Sequence, residues 1–223
     1  SMMGVNQAAE ILVERYGSKA GISLIGPGGE MEMYAAGIQN LDKDLVASRI
    51  NGRGGMGAVL GSKRIKAIVI EAGAGLKPEL KDPELFKRAR RYYTRKLLEH
   101  PQTEIYQKIG TSAMVLPCDF MGGLPTRNFS QGSFEGAEEI SGETMREILL
   151  SRGGKKATTH ACMPGCVVQC SNIYPDEKGD LIVSPVEYET LGLMGSNLGI
   201  NNLDMIAKLN REANDLGLDT IEI

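Results

Sequence analysis

Three of the chain's four cysteines fall within nine residues: Cys162, Cys166 and Cys170, in the run His160-Ala-Cys-Met-Pro-Gly-Cys-Val-Val-Gln-Cys-Ser. Pro164 and the small residues around it break regular structure, so this stretch is expected to be a loop that can curl around an ion or cluster. Three soft thiolate donors on one short loop are how proteins hold iron–sulfur clusters or zinc. The alternative is a set of inert buried thiols, or one disulfide and a spare. Such tight clustering, with Cys118 as the one remaining cysteine, argues against it.

The 223 residues are enough for one large domain or two small ones, and a hydrophobic content of 42% provides a core. A net charge of −3 and a pI near 5.6 leave no broad basic surface for nucleic acid or anionic lipid. Four cysteines do not make a disulfide scaffold, and nothing at the start resembles a signal peptide, so a reducing, cytoplasmic setting is expected. No apolar run approaches the ~20 residues that span a bilayer. Ser1-Met2 resembles a cloning remnant, and the chain is expected to be a fragment of a longer protein.

The pattern predicts a helix over Asn6 to Tyr16 stopped by Gly17, a strand over Ala20 to Ile25, a weaker strand over Met31 to Gln39, and a clear strand over Lys66 to Glu71. Ala72 to Gly75 with Lys77-Pro78 forms the expected linker, dividing residues 1–75 from 76–223. The second part is expected to be mainly helical. A charged helix runs over Glu84 to Glu99, another over Glu104 to Phe120 with a break near Pro117, and one opens at Ser141-Gly-Glu-Thr144. Thr126 to Phe134 is polar loop. Tyr188 to Leu198 and Leu203 to Leu216 form a final helix pair, Asn202 capping the second and Gly217 ending it. The fold class is therefore α+β: a short β-rich N-terminal part, then a mainly α-helical part.

Gly52-Arg-Gly-Gly-Met-Gly-Ala-Val-Leu-Gly-Ser-Lys63, preceded by Arg49-Ile-Asn, is suited to an anion-binding turn. Glycines let the backbone approach a phosphate and aim N–H groups at it, and Arg49 and Arg53 offer charge-assisted bonds. It matches neither a Walker A loop nor a dinucleotide fingerprint. Alone, it is equally well a tight packing turn.

Together with the cysteines, this segment resembles the aldehyde:ferredoxin oxidoreductase family of tungsten or molybdenum bis-pterin enzymes. Four stretches carry the resemblance in the family's order: Ser23-Leu-Ile-Gly-Pro-Gly-Gly-Glu30, Gly52 to Lys63, the cysteine loop, and Gly195-Ser-Asn-Leu-Gly-Ile-Asn201 running on to Leu216-Gly-Leu-Asp-Thr220. The resemblance implies a bis-pterin metal cofactor with a [4Fe-4S] cluster close by, and a chain spanning the end of the pterin-binding first domain and the start of the helical second. It implies pterin and phosphate contacts from Arg49, Ile50, Gly52 and Arg53, second-pterin contacts from Asn214, Leu218 and Asp219, and cluster ligation by Cys162, Cys166 and Cys170. Glu189 becomes the candidate for handling or positioning a proton; an ordinary solvent-facing glutamate of a first helical turn is the competing reading.

Three positions depart from the family. The cysteine spacing is C-x3-C-x3-C where C-x2-C-x3-C is usual, Asn214 stands where well-known members carry Asp, and an E-x-x-H pair that binds metal between subunits falls on Lys208 and Arg211. No metal is expected at that last place. The cluster's fourth ligand is expected from outside this chain, since Cys118 lies in a helical stretch and is expected to be buried.

The implied reaction is oxidation of an aldehyde to a carboxylate with ferredoxin as electron acceptor, the isolated chain being expected to lack activity and a complete cofactor. A benzoyl-coenzyme A reductase-type subunit is an alternative on the same cofactor. Others are a structural zinc module completed by His160 and a radical S-adenosylmethionine enzyme, though the last gap of the cysteine motif fits the latter poorly. Whether the protein is a homo-oligomer is open.

Overall fold

The computed structural model describes residues 2–71, 73, 78–152 and 158–223. Helix α1 (Val5–Tyr16) is followed by β1 (Gly21–Leu24), the one-turn helix α2 (Pro27–Glu30), β2 (Ile38–Leu41), β3 (Ala47–Asn51), α3 (Met56–Ser62) and β4 (Ala67–Ile70). The four strands make one antiparallel sheet in the order β3-β2-β1-β4, with a bulge at Asn40/Leu41. Helix α1 covers one face of it: Val5, Ala8, Ala9, Ile22, Leu24 and Ala47 form the first core. Burying Val5, Ile22 and Leu24 contributes about 1.5–3 kcal/mol apiece.

The expected strand over Met31 to Gln39 needs correction. Residues 31–35 are turns and irregular backbone, because Pro27 to Glu30 coil into α2 and the Met33 amide then folds back to the Gly28 carbonyl at 2.9 Å. Pairing starts only at Ile38. Strand β3 went unpredicted, since Ala-Ser-Arg-Ile-Asn alternates too weakly to stand out from the glycines after it. The expected linker falls largely on residues 72 and 74–77, outside the described residues.

The second part holds α4 (Pro83–Leu98), α5 (Pro101–Ile109), a 3₁₀ segment (Gly110–Met114), α6 (Val115–Phe120) and α7 (Gly142–Ser151). Asp82, His100 and Ser141 cap α4, α5 and α7 by accepting N–H bonds from Leu85, Gln102 and Thr144. The break within 104–120 lies at Gly110, not at Pro117: Gly110 has φ +69, and a Cβ there would meet the Cys170 carbonyl oxygen at 2.6 Å. Pro117 instead sits in the first turn of α6, where its missing N–H costs nothing.

Two short hairpins follow, β5 (Thr159–His160) with β6 (Ser171–Asn172) and β7 (Tyr174–Pro175) with β8 (Leu181–Val183). They had no visible pattern at two or three residues each. Next come α8 (Tyr188–Thr190), a π-helical turn (Leu191–Gly195), a 3₁₀ turn (Ser196–Leu198) and α9 (Leu203–Leu216), with Asn202 and Gly217 capping as the sequence predicts. Val115, Leu124, Phe134, Ile140, Met145, Tyr174, Leu191 and Ile206 are among the residues of a second core. Cys118 lies on α6, partly buried against that core rather than fully inside it. Asp119 accepts the Phe134 amide at 2.7 Å.

The two parts meet at a backbone-paired seam. Ala36 bridges Leu218, the Gly37 amide donates to the Gly217 carbonyl at 2.9 Å, and the Asp219 amide donates to the Ala35 carbonyl at 2.9 Å. Gly217 takes φ +74 so that α9 can end and the chain can turn into this pairing.

Candidate functional site

The seam sets Leu218 and Asp219 beside the start of the glycine-rich segment, and a cavity of about 320 Å³ opens there. Its walls include Ser48, Ile50 and Arg53 from β3 and the turn after it, Thr111, Cys170, Glu187, Glu189, Asn210 and Asn214, and Leu218 to Ile221. Ile50, Arg53, Cys170, Glu189, Asn214, Leu218 and Asp219 thus share one cavity. Arg49 sits behind it, its guanidinium donating to Ser171 Oγ and lying 3.7 Å from Glu187 Oε1. Gly52 backs against Asp219, whose carboxylate would meet a Cβ at 2.9 Å.

Several buried polar atoms around the cavity lack hydrogen-bond partners: Ser48 Oγ, Arg49 Nε and Asp219 Oδ2. Such atoms cost about 1–3 kcal/mol each when left unmet. Asp219 is 3% exposed, and Arg53 Nε stands 3.7 Å from its Oδ2, beyond hydrogen-bond reach. Burial pushes the Asp219 carboxyl above its ordinary range; the bond from the Ile221 amide and the Arg53 charge oppose this only in part. Burial likewise raises Glu187, against a hydrogen bond from Thr111 and the charge of Arg49. Thr111 in turn receives the Tyr188 amide at 3.0 Å.

Glu187 is the site residue that sequence reasoning missed. It lies two positions before Glu189, in extended backbone at the N-terminal boundary of α8 with no side-chain capping bond, and both glutamates line the cavity. The signal was the pair itself, Glu-Tyr-Glu after a proline. Ser48, Thr111 and Asn210 also line the cavity without a motif to mark them; Asn210 Nδ2 donates to the Pro185 carbonyl at 2.7 Å.

In the glycine-rich turn, Gly54 and Gly55 have φ +94 and +66. The Gly54 amide donates to Glu222 Oε1 at 3.2 Å, so a carboxylate already occupies one donor of this turn. The cysteine loop connects β5 to β6, turning at Gly165 (φ +82) and Gln169 (φ +52). All three thiols are free and partly exposed, and burial, with Glu187 and the other two cysteines, raises Cys170. Zinc with Zn–S bonds of about 2.3 Å would bring the sulfurs to about 3.8 Å from one another. Among the described residues, the one group of three possible ligands gathered within 4.8 Å is Asp42, Asp44 and His160, so the thiols are spread more widely than that. Cys170, one of the three loop thiols, lines a polar cavity bordered by unmet buried atoms, which fits a cluster-holding loop next to a polar organic cofactor. The cavity volume also lies within the ~300–1,000 Å³ of small-molecule sites.

A family model for the N-terminal domain of aldehyde ferredoxin oxidoreductase matches residues 1–72, and a model for domains 2 and 3 matches residues 88–223. The chain belongs to the aldehyde ferredoxin oxidoreductase family. It is 35% identical over 222 residues to the tungsten-containing aldehyde ferredoxin oxidoreductase of Pyrococcus abyssi, covering 98% of this chain and 34% of that protein. The enzyme of the same name from Pyrococcus furiosus is 36% identical over 216 residues, 96% of this chain and 33% of that protein. A WOR-like subunit of an aliphatic sulfonate oxidoreductase from Pyrococcus furiosus is 32% identical over 202 residues, 88% of this chain and 30% of that protein. The fold is shared with the active-site complex BamBC of benzoyl coenzyme A reductase in complex with 1,5 dienoyl-CoA, at a TM-score of 0.67 and 19% identity over 99% of this chain and 33% of that one. The chain thus spans about a third of the length of these relatives. Among the described residues no helix is long and apolar enough to cross a membrane.

Proposed function

We propose that this chain is the pterin- and cluster-holding portion of a cytoplasmic oxidoreductase that converts aldehydes to carboxylates and passes the electrons to ferredoxin. The observation that carries this reading is the single cavity shared by Ile50, Arg53, Cys170, Glu189, Asn214, Leu218 and Asp219. When bound, a tungsten (or molybdenum) bis-pterin supplies the two-electron exchange with substrate and a [4Fe-4S] cluster the one-electron exit.

The chain's own residues divide the remaining work. Arg49 and Arg53 neutralise cofactor phosphate, with Gly52 keeping the backbone close. Ser48 Oγ and Asp219 Oδ2, on residues of the cavity wall, hold unfilled hydrogen-bond capacity, as does Arg49 Nε behind it. Asn214 accepts from Gln39 Nε2 at 3.4 Å, which orients its amide without adding charge. Leu218 gives an apolar wall. Cys162, Cys166 and Cys170 contribute three cluster thiolates.

Turning an aldehyde and water into a carboxylate releases two electrons and three protons, so a carboxyl that titrates nearer neutrality is useful. Glu189 faces the cavity as the proton-handling candidate. Glu187 beside it is raised by burial, against the bond that Thr111 Oγ1 donates to it, and offers a second carboxyl for holding a proton. Residues 1–75 would belong to the pterin-binding domain and 76–223 to the helical one. The chain alone would be inactive, its cluster taking the fourth ligand from elsewhere in the protein while Cys118 packs against the second core.

The test is anaerobic isolation of the native protein. Iron, tungsten, broad visible absorption and aldehyde-dependent viologen reduction are expected together, and Cys166→Ser should remove iron. A colourless preparation holding zinc and no iron, or one inert toward aldehydes, would overturn the reading.

A further inference from the structure

We infer that Asp42, Asp44 and His160 bind one divalent transition-metal cation, at a site separate from the cysteine loop. One ligand atom of each residue lies within 4.8 Å of the other two. The aspartates come from the β2–β3 hairpin loop and the histidine from β5, in the other part of the chain. The Lys43 amide donates to the Cys162 carbonyl at 3.4 Å, which holds the two segments against each other.

The independent observation is Asp42. It is 7% exposed, and its Oδ1 accepts the amides of Asp44 at 2.8 Å and Val46 at 3.0 Å. Its Oδ2 is buried with no partner. A buried carboxylate oxygen facing no donor must either carry a proton or meet a cation. The histidine is oriented to help supply the cage. Its Nε2 bonds Ser171 Oγ at 3.2 Å, while Nδ1 faces Asp44 Oδ2 at 3.3 Å. A hydroxyl on the far ring nitrogen is the outer partner that fixes the tautomer of a metal-bound imidazole. A proton on Nδ1 would satisfy Asp44 but leave Asp42 Oδ2 bare; a cation satisfies both.

One imidazole nitrogen and two carboxylate oxygens suit zinc, manganese or iron(II), not copper(I), which prefers thiolates, nor calcium, which takes six or more oxygens. Ligand atoms about 2.1 Å from a shared ion lie roughly 3.0–4.2 Å apart, so small side-chain shifts complete the site. A cavity of about 280 Å³, lined in part by Asp44 and His160, gives an entry path and room for water ligands. The competitor is Lys43, whose ammonium sits on the Asp44 carboxylate at 2.7 and 2.8 Å.

The full chain carrying Cys162→Ser, Cys166→Ser and Cys170→Ser is titrated with cobalt(II), a spectroscopic substitute for zinc, by visible absorption. We expect one saturable equivalent, free of thiolate charge-transfer bands and displaced by zinc. Asp42→Asn retains Oδ1 for the turn and should weaken binding at least about tenfold. Lys43→Ala removes the competitor at an accessible position and should tighten binding several-fold, an outcome that general destabilisation does not produce. Absence of saturable binding overturns the site, as does an affinity unmoved by Asp42→Asn or a Lys43→Ala protein that binds no tighter.

Discussion

Gly26→Ala probes the seam between the two parts. Gly26 has φ −87 and ψ −172, extended backbone that alanine adopts without strain, so the effect comes from space alone. A Cβ there would lie 2.3 Å from the Leu216 carbonyl oxygen, 2.4 Å from its carbon and 2.6 Å from the Gly217 nitrogen. Ordinary contact begins near 3.4 Å, so two backbones must part by roughly 1 Å. Overpacking costs about 1–3 kcal/mol, and rigid backbone on the far side puts this case near the top of that range. For a chain of this size about 3 kcal/mol lowers Tm by roughly 6–12 °C. Gly21→Ala on β1 is the matched control: its Cβ meets nothing nearer than Ile70 at 3.9 Å, and a shift within about 1 kcal/mol is expected. Calorimetric melts of parent and both variants decide the matter. If Gly26→Ala melts within a degree or so of the parent, or no lower than Gly21→Ala, the close approach at the seam is wrong.

Arg53→Ala should barely change stability, because this arginine is 65% exposed and its ion pair with Asp219 is long. The same variant should lose pterin and tungsten from the native protein, measured by fluorescence of the released pterin and by elemental analysis. Arg152 bonds Asp204 through two contacts at 2.6 and 2.8 Å, and Tyr174 adds a third to the same aspartate. Arg152→Met should therefore cost on the order of 2 kcal/mol in urea denaturation. Burial pushes Glu30 up, but bonds from Lys66 and the N-terminal backbone overcome it and hold the carboxyl at about 2. Its folded pKa is thus depressed, so its contribution is complete above the unfolded value near 4.5 and fades as pH falls toward 2. Lys66→Met should flatten stability against pH across that window, and an unchanged profile would count against the pair.

Legibility of the fold followed element length and cap chemistry. Helix α9 could be placed to its ends, because Asn202 and Gly217 are strong punctuation around a long amphipathic run. Strands of two or three residues such as β5 to β8 carry no period and stayed invisible. The Gly110 break was misplaced at Pro117 because a proline advertises itself, whereas the need for a positive φ against the Cys170 carbonyl exists only in three dimensions. At the site, motif residues such as Arg53 and Asp219 could be named from the chain, and they line one cavity. Glu187 could not: its interest lies in burial and in Thr111, a partner far along the sequence.

The cavity takes one wall from residues 48–53 and the opposite one from residues 111–221. Neither half can therefore be grafted alone from a cousin of the same lineage: Arg53 and Asp219, or Gly52 and the carboxylate packed on it, would arrive without their counterparts. A working chimera must exchange both walls together, so drift at either one is answerable to the other.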